Sequence, residues 1–132
     1  MKAFVPIILL LLAAAASGQT TFYCDPVGGD TSTGDGSWEN PWGTLQSVFE
    51  AEKIQRRTHK DQGITNPSAP VALGDTIQLL EGYHGAISYD GWWNTEGRIT
   101  IEAYDANAPP VLSRWSMIGA CRALTSARDV SR

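Results

Sequence analysis

Apolar and polar residues alternate in two stretches of the chain, Asp75-Thr76-Ile77-Gln78-Leu79-Leu80 and Arg98-Ile99-Thr100-Ile101-Glu102-Ala103-Tyr104. A period of two sends every second side chain to the same face, so each stretch predicts a half-buried strand. Ala86-Ile87-Ser88-Tyr89 predicts a third strand, and Phe22-Tyr23-Cys24-Asp25-Pro26 a fourth that stops at its proline. Glu81-Gly82, Asp90-Gly91, Glu96-Gly97 and Asp105-Ala106-Asn107 follow these segments, and such residues turn the chain at low cost. Helical spacing occurs once, at Leu45, Val48 and Phe49, with Thr44 in front as an N-cap, and it predicts a helix over 44–57. Within that span Glu50 and Glu52 precede Lys53, Arg56 and Arg57, the order a helix macrodipole prefers, although a plain solvated face would carry the same charges. The stretches 27–40 and 58–73 lack periodicity and are rich in Gly, Thr, Ser, Asp and Pro, so they read as loops.

The first eighteen residues follow a different rule. Lys2 precedes an apolar run from Ala3 to Ala16, and Ser17 and Gly18 close it with small residues. This is the pattern of a secretory signal peptide over 1–18, cleaved after Gly18 or Ala16. The run falls short of the roughly 20 residues a spanning helix needs, so no membrane anchor is expected once the leader is removed. An oxidising compartment would let Cys24 and Cys121 pair, although the sequence does not show that their Cα atoms approach. Asn66-Pro67-Ser68 is spoiled as a glycosylation site by its proline.

Composition narrows the function. The 132 residues, 42% of them apolar, suffice for one small domain. Fourteen acidic residues against ten basic ones give a net charge of −4 without a basic stripe, which excludes nucleic acid as a partner. Thirteen Gly and seven Pro imply many turns and disfavour a long-helix bundle.

The interval from Ile77 to Ile99, 22 residues, is in the range at which a parallel coil stacks one turn on the next. Around it the residues fall into a familiar order. Tyr23-Cys24-Asp25-Pro26 leads to Gly28-Gly29-Asp30, Gly34-Asp35-Gly36 and Asn40-Pro41-Trp42-Gly43-Thr44-Leu45-Gln46. Gly74-Asp75-Thr76-Ile77-Gln78-Leu79, Glu81-Gly82-Tyr83-His84-Gly85 and Ile99-Thr100-Ile101-Glu102-Ala103-Tyr104 come next, before Pro110-Val111-Leu112. Over residues 22–112 this order resembles the N-terminal end of secreted right-handed parallel β-helix proteins of the pectate-lyase-like superfamily, among them alginate and chondroitin lyases and related epimerases. The resemblance implies an all-β fold, with 19–112 forming an N-terminal cap helix and about two rungs. The helix would cover the open end, Gly74-Asp75 would turn the chain into the first rung, and Gly82 and Gly85 would shape a corner. Residues 113–132 lose the strand pattern and are expected to be an irregular tail, as in a chain cut short or wrongly ended, with Ser113-Arg114-Trp115-Ser116-Met117-Ile118 as a candidate start of another turn. A complete small secreted protein stapled by Cys24 and Cys121 is the competing expectation.

The resemblance also implies a target, an extracellular acidic polysaccharide. In lyases and epimerases of this kind a base removes the proton α to a uronate carboxylate, while calcium or basic side chains neutralise the developing charge. Those groups lie on later rungs, so no catalytic residue is assigned in this chain, and calcium is expected only of the complete protein. A non-catalytic extracellular carbohydrate-binding or adhesion module is the alternative.

Several residues are candidates for contact with a sugar. Trp92 and Trp93 can offer an aromatic platform, with alternation sending one of the two inward. Tyr83 and His84 are adjacent titratable groups in a turn, yet they also belong to the corner itself. Lys53, Lys60 and Arg98 could meet a carboxylate or be ordinary surface cations. Asp25, Asp30, Asp35 and Glu39 make an oxygen-rich stretch that suits either calcium or plain turns, and their spacing fails the EF-hand pattern. Trp38 and Trp42 flank the cap and are expected to be structural.

Overall fold

A computed structural model of the chain describes residues 18–59, 62–90, 98–118 and 128–129. The expected leader, apart from Gly18, lies outside them, as do Lys60, Trp92, Trp93 and Cys121. The described residues are mainly strand and loop, with one short helix: β1 (Thr21–Cys24), α1 (Leu45–Glu50), β2 (Thr76–Leu79), β3 (Ala86–Asp90), β4 (Thr100–Ala103), β5 (Val111–Leu112), β6 (Arg114–Ile118) and β7 (Arg128–Asp129). All-β character is thus as the alternation predicts. Among the described residues no helix is long and apolar enough to cross a membrane.

Every strand pairing described is parallel. β1, β2 and β4 form a three-stranded sheet in that order, while β3 pairs β6 and β5 pairs β7. Parallel neighbours cannot be joined by a tight hairpin, so the chain leaves the sheet and returns between them. It returns after 24 residues between Gln78 and Glu102 and brings Ala86 level with Arg114. The sequence interval Ile77 to Ile99 is therefore not the register; Ile77 stands beside Ile101. Residues 114–118, at the head of the expected irregular tail, form a strand level with β3, as the candidate start of another turn would.

Register sorts the side chains into columns. Phe22, Ile77 and Ile101 stand side by side on the inner face, and Cys24, Leu79 and Ala103 form the next column. Ile77, Leu79 and Ile101 are buried in one core with Ile87, Ile99, Leu112, Leu45 and Val48. Full burial of such a side chain stabilises by about 1.5–3 kcal/mol, so this face sets the register: a one-residue slip would turn the slipped strand's inner residues outward. Tyr23, Gln78 and Glu102 are level with one another on the opposite face.

The edge of β1 is closed by the loop before α1. Tyr23 donates its N–H to the Gly36 carbonyl, Trp42 donates to the Tyr23 carbonyl, and Asp25 donates to the Trp42 carbonyl. Trp42 is wholly buried, stacked on Phe22 with ring centroids 5.0 Å apart, and its indole N–H donates to the Gly34 carbonyl at 3.0 Å.

α1 is shorter than the expected 44–57. Thr44 does cap it, its hydroxyl accepting the Ser47 N–H at 3.1 Å. The helix ends because Glu52 turns into the left-handed region at φ 53°, which swings Ile54 into the core and into a parallel bridge with Val71. The macrodipole reading falls with the length: there is no acid in the first turn and no base in the last. Glu52 instead pairs with Arg56 beyond the helix end. Asn66 ties down the following loop, its side chain accepting from the Arg56 N–H and donating to the Ile54 and Glu52 carbonyls.

Candidate functional site

His84 lies inside the molecule. Gly82 and Gly85 on either side have φ of 131° and 90°, a region that favours glycine, and this corner turns the imidazole inward. Its Nδ1 accepts the Leu45 N–H at 3.2 Å, and its Nε2 donates to the Leu80 carbonyl at 2.8 Å. The His84 carbonyl accepts the Gln46 N–H, and the Gln46 side chain in turn accepts the Ala86 N–H at 3.0 Å. Two otherwise orphaned N–H groups of the first helical turn are thereby satisfied by one residue, a cap supplied from 39 residues away. Burial holds the imidazole pKa below its ordinary value, against weaker upward pulls from the Leu80 carbonyl and the Asp25 charge. Both ring nitrogens are engaged by backbone and the ring is fully enclosed, so His84 serves the fold and does not face a ligand.

Tyr83 points the other way. It is exposed, and its hydroxyl shares a 2.9 Å hydrogen bond with Ser113 of the neighbouring turn. The adjacent pair therefore divides into a surface tyrosine and an interior histidine.

The acidic stretch serves its own loop. Asp25 accepts from the Val27 N–H, Asp30 from the Ser32 N–H and hydroxyl, and Asp35 from the Ser37 N–H. Each is a carboxylate bonding two residues ahead, the arrangement that stabilises a turn. These bonds from Ser32 and Ser37 hold the Asp30 and Asp35 carboxyls below the usual range. Among the described residues no group of three or more His, Cys, Asp or Glu converges where a metal ion could bind. Cys24 is a free, fully enclosed thiol whose pKa burial pushes up to about 12.

The outer face of β1, β2 and β4 carries a group of residues that the sequence does not bring together. Tyr23 meets Trp38 edge-on at 5.2 Å and Tyr104 edge-on at 6.3 Å between ring centroids, and Trp38 lies 5.2 Å from Tyr104 with the rings inclined at 32°. Trp38 is 50% exposed and Tyr104 51%. Tyr23, half-buried, braces the two exposed rings against the sheet. Beside Tyr23 in register stand Gln78 and then Glu102, and the Gln78 amide donates to the Glu102 carboxylate at 3.1 Å. Aromatic surface next to hydrogen-bonding side chains can hold a ligand that is apolar on one face and polar at its rim. Trp38, expected to be structural, is half exposed on this face. Its exposed position in a Gly-Ser-Trp-Glu-Asn turn was the available signal, but nothing in the sequence ties it to Tyr104.

No protein-family model, curated protein or solved structure matches the chain.

Proposed function

We propose that the chain forms the N-terminal cap and first turns of a secreted right-handed parallel β-helix protein directed at extracellular polysaccharide, acidic polysaccharide being the class the resemblance implies. The observation that carries the reading is the exposed Tyr23, Trp38 and Tyr104 cluster seated on a parallel ladder beside Gln78 and Glu102. Sugar rings offer C–H faces to aromatic surface and hydroxyls to amides and carboxylates. Parallel pairing throughout, with like residues aligned at Thr21, Thr76 and Thr100 and inner columns of apolar side chains, supports the stacked-turn architecture.

Binding without catalysis is the form of this proposal that the geometry favours. His84 is enclosed and doubly bonded to backbone, and it cannot approach a uronate proton from that position. A lyase or epimerase activity of the complete protein would use groups other than His84, which the resemblance puts on later turns. The test is to incubate the full-length chain with alginate, polygalacturonate and a neutral galactomannan and follow both ultraviolet absorbance and gel mobility. Retardation by at least one of these polymers with no rise in absorbance is the expected result for a binding module; a rise with a uronan would mark a lyase, and interaction with none of them would contradict the proposal.

A further inference from the structure

Charge around the aromatic cluster selects among sugars. Glu102 stands on the same face as Tyr23, Glu39 follows Trp38 in the chain, and Asp105 follows Tyr104, with Glu39 and Asp105 exposed. No Lys or Arg occurs between Gln19 and Glu52 or between Gly74 and Gly97, the stretches that build β1, β2 and the Trp38 loop. Arg98 precedes β4, whereas Tyr104 follows its last residue, so this cation belongs to the opposite end of the strand. A uronate polymer laid on the cluster would meet carboxylates and, among the described side chains, no cation placed beside them, and like charges brought together disfavour binding. An uncharged pyranose has no such conflict. Its C–H face can lie on Trp38 or Tyr104, and its hydroxyls can donate to the Glu102 oxygen not used by Gln78 and to the Gln78 amide oxygen.

We infer that the Tyr23, Trp38 and Tyr104 face binds a neutral pyranose polymer, and that Glu102 and Gln78 read its hydroxyls. This inference rests on the polysaccharide-binding function proposed above and narrows its ligand class.

Affinity gel electrophoresis of the full-length chain tests it, with galactomannan, neutral arabinoxylan and hydroxyethyl cellulose in parallel with alginate and polygalacturonate. Trp38→Ala, Tyr104→Ala and Glu102→Gln are run alongside, each checked for an unchanged urea midpoint. The expected result is retardation by at least one neutral polymer and not by the uronans, with a loss on the order of tenfold in Trp38→Ala, the scale of a truncated aromatic anchor. Tyr104→Ala should weaken the same interaction. Retardation by uronans alone, unchanged in folded Trp38→Ala, would overturn the neutral-sugar assignment and leave polysaccharide binding standing. Failure of every polymer to retard the folded protein would overturn both. So would self-association lost in Trp38→Ala with no retardation, which would make the cluster a protein contact.

Discussion

The imidazole Nδ1 of His84 accepts the backbone N–H of Leu45 at 3.2 Å, although 39 residues separate them. One neutral ring thereby joins the start of the helix to the corner before β3, while its other nitrogen holds the Leu80 carbonyl. Protonation would place a hydrogen on Nδ1 facing the Leu45 donor, so geometry as well as burial disfavours the cationic form.

A pH dependence follows. The unfolded chain takes up this proton near the ordinary value of 6.5, and the folded chain only at lower pH. The unfolded state binds more protons between those two values, so stability is full above the ordinary value and declines as the pH falls through this window. Urea midpoints measured from about pH 7 to about pH 5 should fall in the native sequence and fall less in His84→Gln. At pH 7 the variant should itself lose about 1–3 kcal/mol from its unsatisfied partners.

Gly36 is irreplaceable for two independent reasons. Its φ is 82°, and a Cβ there would sit 2.8 Å from the Trp42 ring and 2.9 Å from the Phe22 ring. Left-handed backbone and overpacking each cost about 1–3 kcal/mol, so Gly36→Ala should lower the urea midpoint severely. Gly63→Ala, where a Cβ would meet nothing within 4 Å, is the control and should leave the midpoint nearly unchanged.

Much of this was legible in the sequence, and the failures have physical causes. Alternation located β2 and β4 because one face of each is buried, and Thr44 marked the helix start because its hydroxyl answers a local N–H. The helix end was not legible. Local spacing continued past Glu50, but the burial of Ile54 beside Val71 outweighs it, and Val71 is distant in sequence. Ile99 and Ile101 are both buried, so alternation alone could not choose which stands beside Ile77. The cluster of Trp38 with Tyr104 was hidden as well, since a loop residue meets one just past the end of β4 that is distant in sequence.

Asp75 joins the entry of β2 to two other segments. Its Oδ1 accepts the Thr20 N–H at 2.9 Å and its Oδ2 the Ala72 N–H at 2.8 Å. The residue is buried, and hydrogen bonds to a charged group are worth about 1.5–3 kcal/mol each. Asp75→Ala should therefore destabilise by at least 2 kcal/mol on the order of that scale. Hydrogen exchange should report the loss first at the Thr20 and Ala72 amides.

Cys24 should be inert in the folded protein. A buried thiol with its pKa pushed up to about 12 supplies almost no thiolate at neutral pH. Mass spectrometry after brief alkylation should find the Cys24 peptide unmodified in native buffer and fully modified in denaturant. Rapid native labelling would show that the inner column of β1 is open.

The most direct test of the functional proposal follows the Trp38 indole N–H by NMR while a soluble neutral oligosaccharide, such as a mannan fragment, is titrated into the full-length chain. The expected result is a saturable shift of the Trp38 signal together with the Tyr23 and Tyr104 ring resonances, with the buried Trp42 indole unmoved and alginate oligomers without effect. Shifts confined to other surfaces, or an equal response to alginate, would contradict the assignment of this face to neutral sugar.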